Sequence, residues 1–228
     1  MRHIKAGESP EPTFYRMRSF TKSILRAIAL LIVAPAVLAS WLQGQLIGST
    51  RAFPGWAQLF SLLPGMCGEY LRHAFFRGTT ARCDDDVCIS FGTVLTHPGV
   101  SIGRGSFLGH FCCLGNVAIE DDVLIASRVS VINGCAQHGT ERLDIPIRDQ
   151  PGILEEVTIG EGSWIGEGAT IAASVGRHCL VGAGSLVLKP LPDYSIAVGS
   201  PAKVIGDRRD KTVHDEEDSV PEESIVLC

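Results

Sequence analysis

Aliphatic residues recur about every six positions through the second half of the chain, and many are followed at once by glycine, alanine or an acid. This period fits neither an amphipathic helix nor an alternating strand, whose periods are about 3.6 and 2 residues. It is typical of short strands joined by tight turns, with the aliphatic side chain inward and a small residue at the corner. The repeated positions are Ile89, Leu95, Ile102, Leu108, Leu114, Ile119, Ile125 and Val131, then Ile159, Ile165, Ile171, Val175, Val181 and Val187.

Three such units close one triangular turn of about eighteen residues, and stacked turns share hydrogen bonds and an apolar column. The chain holds enough repeats for roughly five turns. We therefore predict an all-β protein, a parallel β-helix solenoid. The inside of such a solenoid contains no cleft, so its chemistry is expected on loops or between subunits.

A different pattern fills the amino-terminal part, where residues 27–50 form twenty-four positions without a charge. This segment is long enough to span a bilayer. It lacks the clean cleavage site of a signal peptide, and the basic residues before it predict a cytoplasmic amino terminus. Those basic residues are Arg16, Arg18, Lys22 and Arg26.

Residues 53–64 are also apolar and predict a second, shorter interfacial helix. Together with Pro35, Gly44 and Gly48, they favour a bent or re-entrant hairpin that keeps the rest of the chain cytoplasmic. We expect residues 27–63 to be a helical, membrane-associated segment lying in the interface. Two alternatives stay open: a true span, and a soluble helical layer that covers the core or an oligomer face.

Charge is distributed unevenly along the chain. The whole sequence has 20 Lys and Arg against 25 Asp and Glu, a net charge of −5, which argues against nucleic-acid binding. The predicted organisation is a basic segment over 1–26, the apolar segment over 27–63, a repeat domain over 64–206 interrupted by a loop over 134–156, and an acidic tail over 207–228. The tail lacks apolar periodicity and is expected to be disordered.

The eight cysteines include no Cys-x-x-Cys pair, so zinc-ribbon and thioredoxin-like sites have no support. Most lie beside small or aliphatic residues, where a free cysteine behaves as a small buried hydrophobe. We expect a reducing compartment.

Four features together resemble the hexapeptide-repeat acyltransferases, which fold as left-handed parallel β-helices. They are the repeats, the interrupting loop, Trp164-Ile165-Gly166, and the two segments 181–187 (VGAGSLV) and 199–206 (GSPAKVIG). The sequence is most similar to the branch containing the galactoside, maltose, xenobiotic and exopolysaccharide O-acetyltransferases, over about residues 64–206. The resemblance implies a homotrimer, acetyl-CoA as co-substrate in the cleft between neighbouring β-helices, and a loop histidine as general base.

His138 stands at the entrance of the interrupting loop and matches the family's catalytic position. A neutral imidazole is well suited to remove a hydroxyl proton near pH 7. The resemblance also implies an acceptor-binding role for Asn116, whereas His110 is a candidate for that role if it points outward from its turn. The acetyl-CoA site it implies comprises Trp164, Ala183, Gly184, Ser185, Lys189 and Lys203, with Arg208 also near the phosphates.

A zinc site of the kind found in β-helical carbonic anhydrases was weighed as an alternative, because that site uses three histidines, two of them close together on one turn. Here His97, His110, His138 and His178 are 13, 28 and 40 residues apart, which does not favour a zinc shell. We expect no metal, and we assign His97 and His178 to turns. Residues 147–152 are polar enough to contact acceptor or CoA.

The sequence thus predicts an acetyl-CoA-dependent O-acetyltransferase acting on a sugar or polysaccharide precursor at the inner face of the membrane. A second hypothesis keeps the chemistry but changes the acceptor to serine, an antibiotic or an amino sugar. A third is a non-catalytic, trimeric β-helix scaffold.

Overall fold

The structure is a computed structural model that describes residues 12–211. Three α-helices come first: α1 (Pro12–Ile47), α2 (Ser49–Ser61) and α3 (Gly65–Thr79). Sixteen short strands follow, together with two 3-10 helices at Ile147–Asp149 and Arg208–Lys211. In chain order, β1 to β16 are Arg82–Cys83, Cys88–Ile89, Val94–Leu95, Ser101–Ile102, Phe107–Leu108, Cys113–Leu114, Val117–Ile119, Leu124–Ile125, Ser130–Val131, Val157–Ile159, Trp164–Ile165, Thr170–Ile171, Leu180–Val181, Leu186–Val187, Ser195–Val198 and Lys203–Asp207.

The strands form three parallel sheets, which are the three faces of a triangular solenoid. Sheet I has the order β1-β4-β7-β10, sheet II the order β2-β5-β8-β11-β13-β15-β16, and sheet III the order β3-β6-β9-β12-β14. Among the strands of residues 12–211, only the last pair, β15 and β16, is antiparallel. Successive turns are joined by backbone hydrogen bonds, such as Trp164 N to Cys179 O at 2.9 Å.

The repeated aliphatic residues fill the solenoid, as the period of six predicts. Ile89, Leu95, Leu108, Ile125 and Ile165 are fully buried, and each is the second residue of its strand. The residue before each of them points outward. The solenoid has about six turns rather than the five expected, because strand pairing begins at Arg82, before the first clear repeat.

Helices α2 and α3 close the amino-terminal end of the solenoid. Phe75 and Phe76 are fully buried, and the ring of Phe60 stacks on that of Phe75 with centroids 4.3 Å apart. Arg72 is also buried, and its guanidinium donates hydrogen bonds to four backbone carbonyls, those of Phe60, Ser61, Leu63 and Ile89. These two helices form a helical layer over the amino-terminal end of the solenoid core.

Two details of the termini differ from expectation. Helix α1 continues through Pro35, and the break that turns the chain into α2 falls at Gly48, whose φ is +92°. At the other end, residues 207–211 do not begin a disordered tail, since Arg208 N donates to Tyr194 O and the segment folds back on the solenoid. The predicted acidic tail from 212 onward and residues 1–11 of the basic segment lie outside the described residues.

Candidate functional site

The loop over residues 134–156 leaves the solenoid after β9, at the corner between sheets III and I. Its two arms run side by side and are joined by backbone hydrogen bonds. Ile153 N donates to Ala136 O at 2.7 Å, and Glu155 N donates to Asn133 O at 3.1 Å. The base of the loop therefore has a fixed shape.

His138 lies where the two arms touch backbone to backbone. A β-carbon on Gly152 would lie 2.7 Å from the amide nitrogen of His138 and would overlap the carbonyl oxygen of Gln137. A β-carbon on Gly139 would lie 2.6 Å from Pro151 O. Because real β-carbons do not approach other atoms so closely, only glycine allows this crossing, which fixes the backbone of His138.

Gln150 holds the outer part of the loop together. Its side chain is 7% exposed, and it accepts a hydrogen bond from Arg142 N and donates to Arg142 O and Ile145 O. In the polar segment 147–152, predicted to contact acceptor or CoA, both Gln150 and Gly152 thus have structural roles. Sequence reasoning missed the roles of Gln150 and Gly152, because they depend on which parts of the two arms meet.

The imidazole of His138 is exposed, and within residues 12–211 it has no hydrogen-bond partner. Both ring nitrogens are therefore free to meet a ligand. A base held by a rigid backbone and open to solvent can accept a proton from a hydroxyl group placed within hydrogen-bond reach.

Asn116 lies on the same III–I corner as the base of the loop, two turns from the helical end of the solenoid. Its Oδ1 is buried, faces the Cα of Gly99 and has no hydrogen-bond partner in the described part of the chain. The next turn places Asn133 directly above Gly115. The structure thus puts Asn116 beside the loop, but its oxygen faces the preceding turn, and its acceptor-binding role stays a prediction.

His110 lies on a different corner, between sheets II and III. Its backbone is fixed by the next turn, since His110 N donates to Ser127 Oγ and Arg128 N donates to His110 O. Its side chain is exposed. Phe111 beside it has a φ of +56°, is 59% exposed, and packs edge-on against Phe91. His110 therefore points outward, as the prediction required.

Trp164 belongs to an apolar stripe on the outer face of sheet II. The stripe comprises Phe107, Leu124, Trp164 and Leu180, which lie next to one another on four successive turns. Phe107 and Leu124 are 38% and 46% exposed. The equivalent positions of sheet III carry Cys113, Ser130 and Thr170, so sheet II alone has a continuous row of large apolar residues across these turns.

The residues predicted to bind acetyl-CoA lie on the upper turns. Ala183 and Gly184 are exposed on the II–III corner, above His110, and the space beside Gly184 is open. Ser185 is buried, and its hydroxyl accepts a hydrogen bond from Gly199 N, so its side chain is structural.

The three basic residues of the predicted acetyl-CoA site differ from one another. Lys189 and Lys203 are exposed. Arg208 donates from Nη1 to Gly162 O and His178 O, which holds the carboxyl-terminal segment on the solenoid, and its place near the phosphates stays a prediction.

The structure thus divides the predicted site between two corners and one face. His138, Asn116 and Lys189 lie at corner III–I, whereas His110, Ala183 and Gly184 lie at corner II–III. Trp164 lies on sheet II, between corners. Within residues 12–211, no hydrogen bond or ring contact joins His138 to any other predicted residue, and no group of three His, Cys, Asp or Glu side chains is placed to hold a metal.

The cysteines among the described residues are all free. Cys83, Cys112 and Cys179 are buried as expected, whereas Cys67, Cys113 and Cys135 are exposed. Burial raises the pKa of the Cys83 thiol to about 12, so this group stays protonated and inert.

Curated relatives of this chain are named as acetyltransferases. It is 32% identical over 126 residues to a probable acetyltransferase of Mycobacterium tuberculosis, a match covering 51% of this chain and 40% of that protein. It is 35% identical over 144 residues to a serine acetyltransferase of Salmonella typhimurium, covering 61% and 47%. The chain therefore spans about half or less of the length of these relatives. No family profile matches the chain.

Among solved structures, the chain is similar to a galactoside acetyltransferase in complex with coenzyme A. The TM-score is 0.61 at 20% identity, and the match covers 75% of this chain and 88% of the other. At this identity the likeness shows the fold. Repeats, sequence relatives and fold agree, and the resemblance is confirmed: this chain carries the left-handed β-helix of the hexapeptide-repeat acetyltransferases.

Proposed function

We propose that this protein transfers an acetyl group from acetyl-CoA to a hydroxyl of a sugar or polysaccharide precursor, with His138 as the general base. The observation that carries the proposal is the rigid loop at the III–I corner, which presents an exposed imidazole without a partner. The acetyltransferase names of the sequence relatives support the reaction class.

In this reaction His138 removes the proton of the acceptor hydroxyl as the oxygen attacks the thioester carbonyl. The C–S bond then breaks, the acetyl ester forms, and the imidazolium returns its proton to the departing thiolate of CoA. A positioned base of this kind contributes about 10²- to 10⁴-fold to the rate. His138→Ala should therefore lose turnover by that factor and keep acetyl-CoA binding.

Acetyl-CoA would lie along the II–III corner, where Ala183 and Gly184 offer an open, exposed backbone. The structural neighbour in complex with coenzyme A supports a CoA ligand for this fold. Lys189 and Lys203, exposed on the upper turns, are suited to meet its phosphates, and Trp164 to line the acyl end.

Because His138 and the exposed backbone of Ala183 and Gly184 lie on different corners of one chain, we propose that the site forms between copies in a homotrimer. The apolar stripe of Phe107, Leu124, Trp164 and Leu180 supports packing of one solenoid against another, since a continuous exposed apolar row is typical of interfaces. Leu124→Glu should reduce the mass measured by light scattering from three chains to one.

A serine acceptor is the second candidate, and the 35% identical serine acetyltransferase favours it. An acceptor panel of serine, maltose, a galactoside and an amino sugar, read by release of free thiol, separates the two.

The exposed apolar side of α1 supports attachment to the cytoplasmic face of a membrane, which suits a lipid-linked or membrane-assembled glycan as acceptor.

The proposal is tested by thermal unfolding of the full chain with and without acetyl-CoA. A ligand at 100 times its dissociation constant adds about 2.7 kcal/mol of stability, so binding predicts a clear rise in the unfolding temperature. A folded, trimeric protein that shows no rise would instead be the non-catalytic scaffold.

A further inference from the structure

Helix α1 places its small residues against the protein and its large apolar residues toward the outside. The stripe that packs on the folded domain comprises Ala29, Val33, Ala36, Ser40 and Gly44. The opposite stripe comprises Ile24, Ile28, Leu31, Leu38, Leu42 and Leu46. The exposed fractions of these residues and of their neighbour Leu25 range from 41% to 84%. This is the reverse of a helix that serves mainly to fill a water-soluble core.

The outward side is apolar over its whole width. Besides that stripe, Leu30, Ile32 and Trp41 are 38%, 62% and 59% exposed. A coiled-coil seam between copies in water is a narrow stripe with charged residues beside it. No charge occurs between Arg26 and Arg51, so hydrocarbon suits this surface better than a second helix does.

The charges around the helix match an anionic membrane surface. From residue 12 to residue 68 the sequence has five basic residues and no Asp or Glu. Among these, Lys22 and Arg51 are exposed on either side of the apolar stretch. Basic residues near an anionic surface strengthen binding to it.

The folded domain contacts α1 along nearly all of its apolar length. Lys22 and Arg26 line a cavity of about 250 Å³ together with Glu69 and His73 of α3. Asp85 and Asp86 of the first solenoid turn line the same cavity and offset part of this positive charge, so of Lys22, Arg26 and Arg51 it is Arg51 that lies farthest from these acids. Val37 lies against Gly78, at the carboxyl end of α3. Helix α3 thus runs parallel to α1.

Further along α1, Gly44 and Gln45 line a second cavity with Thr79 and Pro98. From Lys22 to Gln45 the helix covers about 35 Å, which exceeds the roughly 30 Å of the hydrocarbon core. If α1 crossed the bilayer, Arg77, which precedes Gly78, would lie near its middle together with the polar backbone of the first solenoid turn, at a prohibitive cost.

From this arrangement we infer that α1 does not span the membrane but lies flat in its surface, with the Ile24–Leu46 stripe in the lipid and the solenoid on the cytoplasmic side. The occupant of the apolar face is the lipid of an anionic bilayer. This inference rests on the proposed membrane association and is independent of the acetyl transfer.

The first test is flotation of the full chain with phosphatidylcholine vesicles, with and without phosphatidylglycerol. Leu31→Glu should weaken binding at least about tenfold, because a buried leucine contributes about 1.5–3 kcal/mol. Leu143→Glu changes a leucine that is 98% exposed on the loop and should leave binding unchanged. The inference is overturned if the wild-type chain does not float and Leu31→Glu lowers its mass in solution. That result would show that a second copy of the chain, and not lipid, covers this face.

The second test measures depth. Single tryptophans replace Ile24, Leu31 or Leu42 in a chain whose native tryptophans are phenylalanine, and brominated lipids quench their fluorescence. A flat helix predicts equal depth at all three positions. A spanning helix would place Leu31 well below Ile24 and Leu42, which are about 27 Å apart along the axis. The acetyl-CoA unfolding shift is measured separately on the chain with its native tryptophans, because Trp164 belongs to the proposed acetyl-CoA site, and loss of that shift alone counts against the acetyltransferase proposal.

Discussion

Gly152 sets the position of His138, so a single methyl group there should disturb catalysis while leaving the fold intact. An alanine β-carbon would lie 2.7 Å from His138 N and overlap Gln137 O, whereas ordinary contact begins near 3.4 Å. Its φ does not lie in the left-handed region, so the substitution adds no backbone strain of its own. The peptide between Gln137 and His138 must move by about 1 Å, and a misplacement of that size costs about 100-fold in rate.

The assay is turnover measured by thiol release, together with the unfolding temperature and its rise with acetyl-CoA. Gly152→Ala should lose about two orders of magnitude in kcat. Its unfolding temperature should fall by less than about 4 °C, because the loop lies outside the solenoid core. The matched control is Gly55→Ala, where a β-carbon meets no atom within 4 Å. Wild-type turnover in Gly152→Ala would refute the view that this crossing positions the base.

Three other substitutions test the supports of the site and of the fold. Arg72→Met removes the side-chain donor of four backbone carbonyls, of which those of Phe60 and Ser61 keep a backbone donor, and should cost about 3 kcal/mol of unfolding free energy in denaturant titrations. The control Arg104→Met, on the exposed I–II corner, should leave the unfolding midpoint unchanged. Gln150→Ala removes the clamp on the outer loop, so limited trypsin digestion should cut within 142–148 much faster than in the wild type. Burial lowers the pKa of His73 from its ordinary value of 6.5, so the folded state favours the neutral imidazole. The contribution of this neutral imidazole to the free energy of unfolding is complete above about pH 6.5 and is lost as the pH falls. His73→Gln should therefore flatten the dependence of the unfolding free energy on pH in this range.

The solenoid was predictable because its signal is repeated in every turn. One inward aliphatic per strand, as at Leu108 and Ile165, decides the fold before any particular contact is known. The turn count was less predictable, since the first turn begins at Arg82 and the last includes Leu191, and neither carries a complete repeat. The continuity of α1 through Pro35 depends on packing of Val33 and Ser40 against the domain, which the local sequence does not specify.

The candidate site could be proposed from the sequence where a residue carries its own chemistry. His138 stands out as an imidazole at the entrance of a loop that interrupts the repeat. Gln150 and Gly152 act only through residues on the opposite arm, and Arg208 is bound by carbonyls of turns 30 to 46 residues away. Such roles come from tertiary contacts and leave no local pattern.

The central claim is that His138 transfers a proton during acetylation of a carbohydrate hydroxyl. Its most direct test is to incubate the full chain with acetyl-labelled acetyl-CoA and each carbohydrate acceptor, and to measure label in the product for the wild type and for His138→Ala. We predict labelled ester from the wild type and a loss of about 10²- to 10⁴-fold in the variant, with the acetyl-CoA unfolding shift retained. Equal labelling by the two proteins, or labelling of serine alone, would contradict the account.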